Sequence, residues 1–291
     1  VYKLLSIYHL RIERENKDLP IPELPEVETI KSQITPKLPI KVEKVILSKV
    51  SDSIVKTKDY PLKSFTIEKI ERQGKVLRFY LDGDRRIISG LGMSGSWRIS
   101  EQPIGEKHTH VIFSGTNKDG DIHLGYIDPR RFGVMHFFNP ENEAEWLTRL
   151  GPDVSKPEFN LEYLLKLKKE KPNKVIKPFL LEQNFFAGVG NYMASEFCAR
   201  AGIRPTRRMK TLSKADLEKL LEAVHQVLDD TITTGGTTFS GGYQDAYGDK
   251  GEGVKNLVVF YQKVCGLCGE ESVKKITLAQ RGTYYCPNCQ K

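Results

Sequence analysis

Between Val42 and Phe138 the chain alternates short apolar runs with turn residues. Eight runs, KVILSKV, SFTIEKI, VLRFYL, RRIISG, SWRIS, THVIFS, DIHLGYI and GVMHFF, are rich in Val, Ile, Phe and Tyr. Runs of this kind at this spacing predict an antiparallel β-sandwich or barrel. Ahead of them, Pro25 to Thr35 places Val27, Ile30 and Ile34 on one face, with Pro25 at its start and Pro36 to stop it, which predicts a helix. Residues 151–176, rich in Lys, Pro and Asn, predict a linker with one short helix. Ser213, with Asp216 three residues on, approximates a capping box. The helix it opens carries Leu217, Leu220, Leu221, Val224, Val227 and Leu228 on one face and ends in the Thr/Gly cluster Thr233 to Thr238. A Gly-rich stretch to Gly253 follows, and there is no internal repeat.

A length of 291 residues suits about two domains of roughly 150 residues each. Hydrophobic residues at 39% and charged residues at 28% exclude a disordered tail protein and a collagen, and no run approaches the ~18 apolar residues of a membrane span. The formal charge of +8 favours an anionic partner such as nucleic acid or a membrane surface. A basic enzyme with neither partner stays open on charge alone.

Four of the five cysteines fall in the last 27 residues. Cys265-x2-Cys268, seventeen residues, then Cys286-x2-Cys289 is the spacing of two knuckles that give four thiolates to one structural zinc. Four protein ligands leave no position for water, so this zinc is not catalytic. The segment between the knuckles can form a β-hairpin with Arg281 near its tip. Cys198 stands alone in a helical segment and reads as a small buried hydrophobe. Clustered cysteines without a scattered disulfide framework fit a reducing compartment, here the cytoplasm.

Five segments then occur in order: PELPEVET from Pro22, GLGMSG at Gly90–Gly95, DPRRFG at Asp128–Gly133, GVGNYMASE at Gly188–Glu196 and AQRGTYYCPNCQK from Ala279. With the cysteine pattern they resemble the formamidopyrimidine-DNA glycosylase (Fpg/Nei) family over nearly the whole chain. The resemblance implies an α+β protein of base excision repair, with an N-terminal β-sandwich flanked by a helix. A helix–two-turn–helix domain with a β-hairpin zinc finger follows, and DNA binds between the domains. It divides the chain into a leader at 1–21, a catalytic sandwich at 22–150, a linker at 151–176, a DNA-binding helical domain with a lesion-capping loop at 177–260, and a finger at 261–291; the Gly-rich stretch Gly235–Gly253 matches that loop only in part and reads equally as a flexible linker into the finger.

The same resemblance implies residue roles. Pro22 matches the proline whose secondary amine attacks the anomeric sugar carbon, and Glu23 the adjacent acid that moves protons. A terminal amine has a reference pKa of about 8, so part of it is neutral near pH 7. Lys75 matches a lysine that contacts phosphate beside the lesion. Met93, Arg130 and Phe132 match the side chains that fill the gap left by an extruded base, and their place in Gly-containing turns predicts exposure. Arg131, Asn191 and Arg281 match phosphate contacts, Asn191 at a helix start whose backbone amides would form a ready anion site. Read as residues alone, Pro22 is a helix-entry proline, Lys75 a solvent lysine, Met93 and Phe132 core residues and Asn191 a helix cap.

Within a longer chain Pro22 has an amide nitrogen, which is not nucleophilic. The expected mature enzyme therefore begins at Pro22, with Ile21 standing where the family has a removable initiator methionine. The expected partner is double-stranded DNA containing oxidised bases, without membrane attachment, and the expected state is a monomer. Expected substrates are 8-oxoguanine and formamidopyrimidines. The alternatives are a pyrimidine-directed relative, or a non-catalytic zinc-dependent binder of damaged DNA if the leader stays. Gly90 stands where the family commonly has His. His108 and His110 alternate on a predicted strand and are expected on one face, at the surface or facing DNA, and not as a metal site.

Overall fold

The computed structural model describes residues 21–56, 63–239 and 242–291; the expected leader, apart from Ile21, lies outside them. Each apolar run contributes a strand: β1 (Ile40–Leu47), β2 (Phe65–Gln73), β3 (Val76–Leu81), β4 (Arg85–Gly90), β5 (Ser96–Ser100), β6 (Thr109–Asn117), β7 (Gly120–Ile127) and β8 (Val134–Phe138). They form one ladder in the order β5-β7-β6-β1-β2-β3-β4-β8, antiparallel at every pairing. The ladder folds back on itself. Trp97 of β5 lies 5.2 Å, centroid to centroid, from Phe79 of β3 and donates to Ser89 Oγ of β4 at 3.0 Å, although these strands stand toward opposite ends of the ladder. The layers enclose Ile67, Phe79, Trp97, Phe113 and Tyr126.

Helix α1 (Leu24–Ile34) ends one residue before the predicted Thr35, and a single 3-10 turn over Thr35–Lys37 absorbs Pro36, whose missing N–H is not needed at a helix start. This helix serves two cores: Val27, Ile30 and Ile34 pack into the sandwich, whereas Leu24 belongs to the helical half.

A short helix α2 (Pro140–Leu147) closes the sandwich. The helical half contains α3 (Leu161–Glu170), α4 (Ile176–Leu180), α5 (Asn191–Arg200) and α6 (Lys214–Ile232). In the segment expected to be a linker, Val154, Phe159, Leu164 and Leu167 are buried in this core. Its Lys-rich composition conceals an apolar spacing of three residues that puts Leu164 and Leu167 on one helix face. At the start of α6 the capping box is reciprocal: Asp216 N donates to Ser213 Oγ (3.0 Å) and Ser213 N to Asp216 Oδ2 (2.8 Å). Strands β9 (Lys274–Leu278) and β10 (Arg281–Tyr285) form the terminal hairpin, and Cys265, Tyr284 and Cys286 join the helical core. No helix among the described residues is long and apolar enough to cross a membrane.

Candidate active site

Glu23 lies where the starts of two helices meet. It precedes α1, and its buried carboxylate accepts from the backbone N–H of Gly190 (2.8 Å), Tyr192 (3.0 Å) and Met193 (3.2 Å) at the start of α5. The fit requires glycine: a Cβ on Gly190 would stand 2.1 Å from Glu23 Cδ, and one on Gly188, where φ is +104°, 2.6 Å from Leu24 Cδ1. Burial pushes the Glu23 carboxyl up to about 7, against the opposing pull of Lys75 and the three amides. Pro22, immediately before it, is buried as well.

Glu26, one helical turn on, was not singled out from sequence. Its carboxylate accepts from Glu23 N (2.7 Å), Tyr192 Oη (3.0 Å) and Thr237 N (2.6 Å). Burial, reinforced by the charge of Glu23, pushes it up to about 8. Two acids three residues apart at a helix start were the available signal.

Lys75 sits in the two-residue turn between β2 and β3, next to Gly74 at φ +57°. That turn is tied to the helical half: Gly74 N and Arg72 Nη1 both donate to Asp153 Oδ2, at 2.7 and 2.5 Å. Burial lowers the Lys75 ammonium, Glu23 and Glu26 oppose this, and Arg281 lowers it further, so these charges share one electrostatic neighbourhood. Asn191 joins them. Its Nδ2 donates to the Gly282 carbonyl (3.0 Å), beside Arg281, and its Oδ1 accepts from the buried Lys177. The cap of α5 is Gly190, not Asn191. The amides expected to form an anion site at this helix start are largely taken by Glu23, an anion supplied by the chain itself.

Met93, Arg130 and Phe132 lie on two adjoining turns. Gly90 stands opposite Val76 in the β3–β4 ladder, so the turn carrying Met93 leaves the sheet beside Lys75. Asp128, fully buried, fastens this turn to its neighbour by accepting from Ser94 Oγ (2.6 Å), Arg130 N (3.2 Å) and Gly133 N (2.7 Å). The Arg130 guanidinium is 5.1 Å from the centroid of the half-buried Phe132 ring, and Arg131 is exposed at φ +56°. Met93 departs from the expected exposure: it is 6% exposed, because the two turns press together. His110 is also buried rather than at the surface, its Nε2 3.0 Å from the Asp128 carbonyl oxygen and its Nδ1 3.0 Å from Ser48 Oγ, while His108 occupies the preceding turn.

The four cysteines converge. Their Sγ atoms all lie within 4.8 Å of one another, with Cys265–Cys289 and Cys268–Cys286 at 3.9 Å. A tetrahedron with Zn–S bonds of about 2.3 Å has sulfurs about 3.8 Å apart, so the set fits zinc. Ala279 and Gln280, at φ +46° and +63°, make the two-residue turn between β9 and β10, and Arg281 follows it directly. Two residues not singled out from sequence dock this unit. Glu196 on α5 accepts from the N–H of Val258, Val259 and Phe260 (2.8–2.9 Å). Gln290 accepts from Cys286 N (2.7 Å) and donates to the Ile203 carbonyl (2.8 Å).

A β-sandwich, a helical domain and a four-cysteine finger around a buried acid pair define the architecture of a zinc-finger DNA repair glycosylase. Residues 21–135 match the formamidopyrimidine-DNA glycosylase N-terminal domain, 150–241 its H2TH domain, and 262–291 the zinc finger found in FPG and IleRS. The chain is 37% identical over 282 residues to a formamidopyrimidine-DNA glycosylase of Oceanobacillus iheyensis, covering 93% of this chain and 98% of the relative. It is 39% identical over 284 residues to that of Salmonella arizonae, covering 93% and 100%. Among solved structures, the Lactococcus lactis Fpg in complex with DNA containing an abasic site superposes with a TM-score of 0.80 at 31% identity, covering 93% of this chain and all of that one. The Thermus thermophilus MutM (Fpg) protein gives 0.79 at 30%, covering 92% and 98%. The chain belongs to the formamidopyrimidine-DNA glycosylase family, and its four cysteines form the zinc site of that family's finger.

Proposed function

We propose that the active form begins at Pro22, removes 8-oxoguanine and formamidopyrimidines from duplex DNA, and cuts the strand at the resulting site. The observation that carries this reading is the Glu23 carboxyl, raised to about 7 and held by three amides directly after Pro22. A carboxyl raised toward neutrality can both give and take a proton in the neutral pH range. The Pro22 nitrogen forms a bond to the anomeric carbon as the bond to the base breaks, and the departing base takes up a proton. Opening of the sugar ring leaves an iminium on Pro22. Loss of the neighbouring sugar proton then expels the 3′-phosphate, a second elimination expels the 5′-phosphate, and water releases the enzyme. Glu23 moves protons in these steps. Lys75, Arg131, Asn191 and Arg281 hold phosphates, and Met93, Arg130 and Phe132 fill the gap in the duplex.

The test is borohydride trapping on an 8-oxoguanine duplex, comparing protein that starts at Val1 with protein that starts at Pro22. A covalent adduct only with the Pro22 start is expected. No adduct from either, with DNA binding intact, would replace this reading with a non-catalytic binder or a different lesion.

A further inference from the structure

The Gly-rich segment after α6 is anchored on both sides of its middle, and its two arms are tied to each other by Thr238 N donating to the Gly251 carbonyl (3.2 Å). Before its middle, Thr237 N donates to Glu26. After it, Tyr243 and Ala246 are buried in the sandwich core, Gln33 Nε2 donates to Asp245 Oδ2 (2.6 Å), and Arg98 Nη1 donates to the Asp245 carbonyl (2.7 Å). Between these anchors Phe239 faces an aromatic group: its centroid is 5.8 Å from that of Tyr192, 5.6 Å from Phe260 and 5.7 Å from Tyr261. Tyr261 in turn lies 4.8 Å from Phe260 and 5.1 Å from Tyr284 of the finger hairpin.

Tyr261 combines two features that folding alone does not favour. It is 44% exposed, and its φ is +58°, the left-handed region where a bulky side chain is disfavoured and glycine is the usual occupant. Its ring contacts explain the aromatic residue there. We propose that Tyr261 is a positioning residue for recognition of the damaged base. Its ring holds Phe239, and with it the start of the Gly-rich segment, against Tyr192, whose hydroxyl binds Glu26 and whose backbone amide binds Glu23. This inference rests on the glycosylase reading above and deepens it: Tyr261 matters when there is a base to hold and is dispensable when the base is already gone.

The experiment uses zinc-loaded protein in whichever form traps, with Tyr261→Gly and Tyr261→Phe. Single-turnover rates are measured on an 8-oxoguanine duplex and on the same duplex carrying a preformed abasic site. Tyr261→Gly is expected to slow the 8-oxoguanine reaction by about fivefold to tenfold, the scale of one lost aromatic contact, and to leave abasic-site cleavage within about twofold. Tyr261→Phe, which keeps the ring, is expected to match wild type on both. An equal loss on both substrates with weaker DNA binding would make Tyr261 a stacking platform for DNA and overturn the proposal. No loss on either would overturn it as well. Wild-type protein inactive on both substrates would overturn the glycosylase reading, and this inference with it.

Discussion

The carboxylate of Glu23 has two demands on it. It neutralises the amides at the start of α5, and it is the group whose proton affinity falls nearest neutrality beside Pro22. Glu23→Gln keeps the shape but cannot exchange a proton. Base excision is expected to fall by about 10² or more, read by single-turnover kinetics; a rate within about threefold of wild type would take the proton role from Glu23. Glu26 affects stability more visibly. Its carboxyl, and that of Glu23, are raised from 4.5 to about 8 and about 7, so the fold binds protons more tightly than the unfolded chain. That contribution is fully present below about pH 4.5 and is lost as pH rises through 7 and 8. Thermal midpoints should therefore decline between pH 5 and pH 8.5, and decline less in Glu26→Gln; an unchanged slope would assign the decline to other groups. The place of Glu23 at the head of α1 was legible because it opens an ordered motif. Glu26 was not, because its partners Tyr192 and Thr237 come from chain segments more than 160 residues away.

At the level of elements, short apolar runs bounded by turn residues located the eight strands of the ladder, because a strand of the sandwich is short and ends where the chain must turn. The runs could not give the order of the strands in the ladder, which is settled by pairing between distant segments. The ligands of the finger were legible from spacing, whereas its docking was not: Glu196 and Gln290 work through backbone groups 62 to 64 and 87 residues away. Glu196→Gln turns a buried acceptor of three N–H groups into an amide that must point a donor at some of them. A loss of about 1–3 kcal/mol in stability is expected by denaturant melting, with faster release of zinc to a chelator. Wild-type behaviour in both would show that the finger docks by other contacts. Cys265→Ser is expected to weaken DNA binding while circular dichroism of the sandwich strands is retained; unchanged affinity would separate the finger from the DNA-binding surface.

Across the whole molecule, the sandwich and the helical half are joined at buried polar points as well as along α1. Arg72, with Asp153 and Gly74, is the main one. Asp153→Ala removes one of the two carboxylates that meet the buried Arg72 guanidinium, leaving it Glu28, and frees the turn that carries Lys75. A cost of about 1–3 kcal/mol is expected, with activity falling further than stability alone explains at a temperature where the variant is folded. The net charge of +8 belongs to this scale too, since it draws the protein toward a polyanion without choosing a sequence. If Lys75, Arg131 and Arg281 each meet a phosphate, the logarithm of the binding constant should fall with the logarithm of salt with a slope of about −3. Arg281→Ala should reduce that slope by about one, and an unaltered slope would remove Arg281 from the phosphate contacts.

Cys265 and Cys286 are part of the same apolar interior as Phe197 and Leu217, not of a separate miniature domain. Metal binding is therefore linked to the melting of the helical half rather than to that of the finger alone. The sandwich, whose interior holds no zinc ligand among the described residues, feels the metal only through its junction with the helical half at α1 and Arg72. Chelation should accordingly split one calorimetric transition into two, a low-temperature peak for the helices with the finger and a later one for the strands. The ion thus sets whether the protein behaves thermodynamically as one cooperative body or as two.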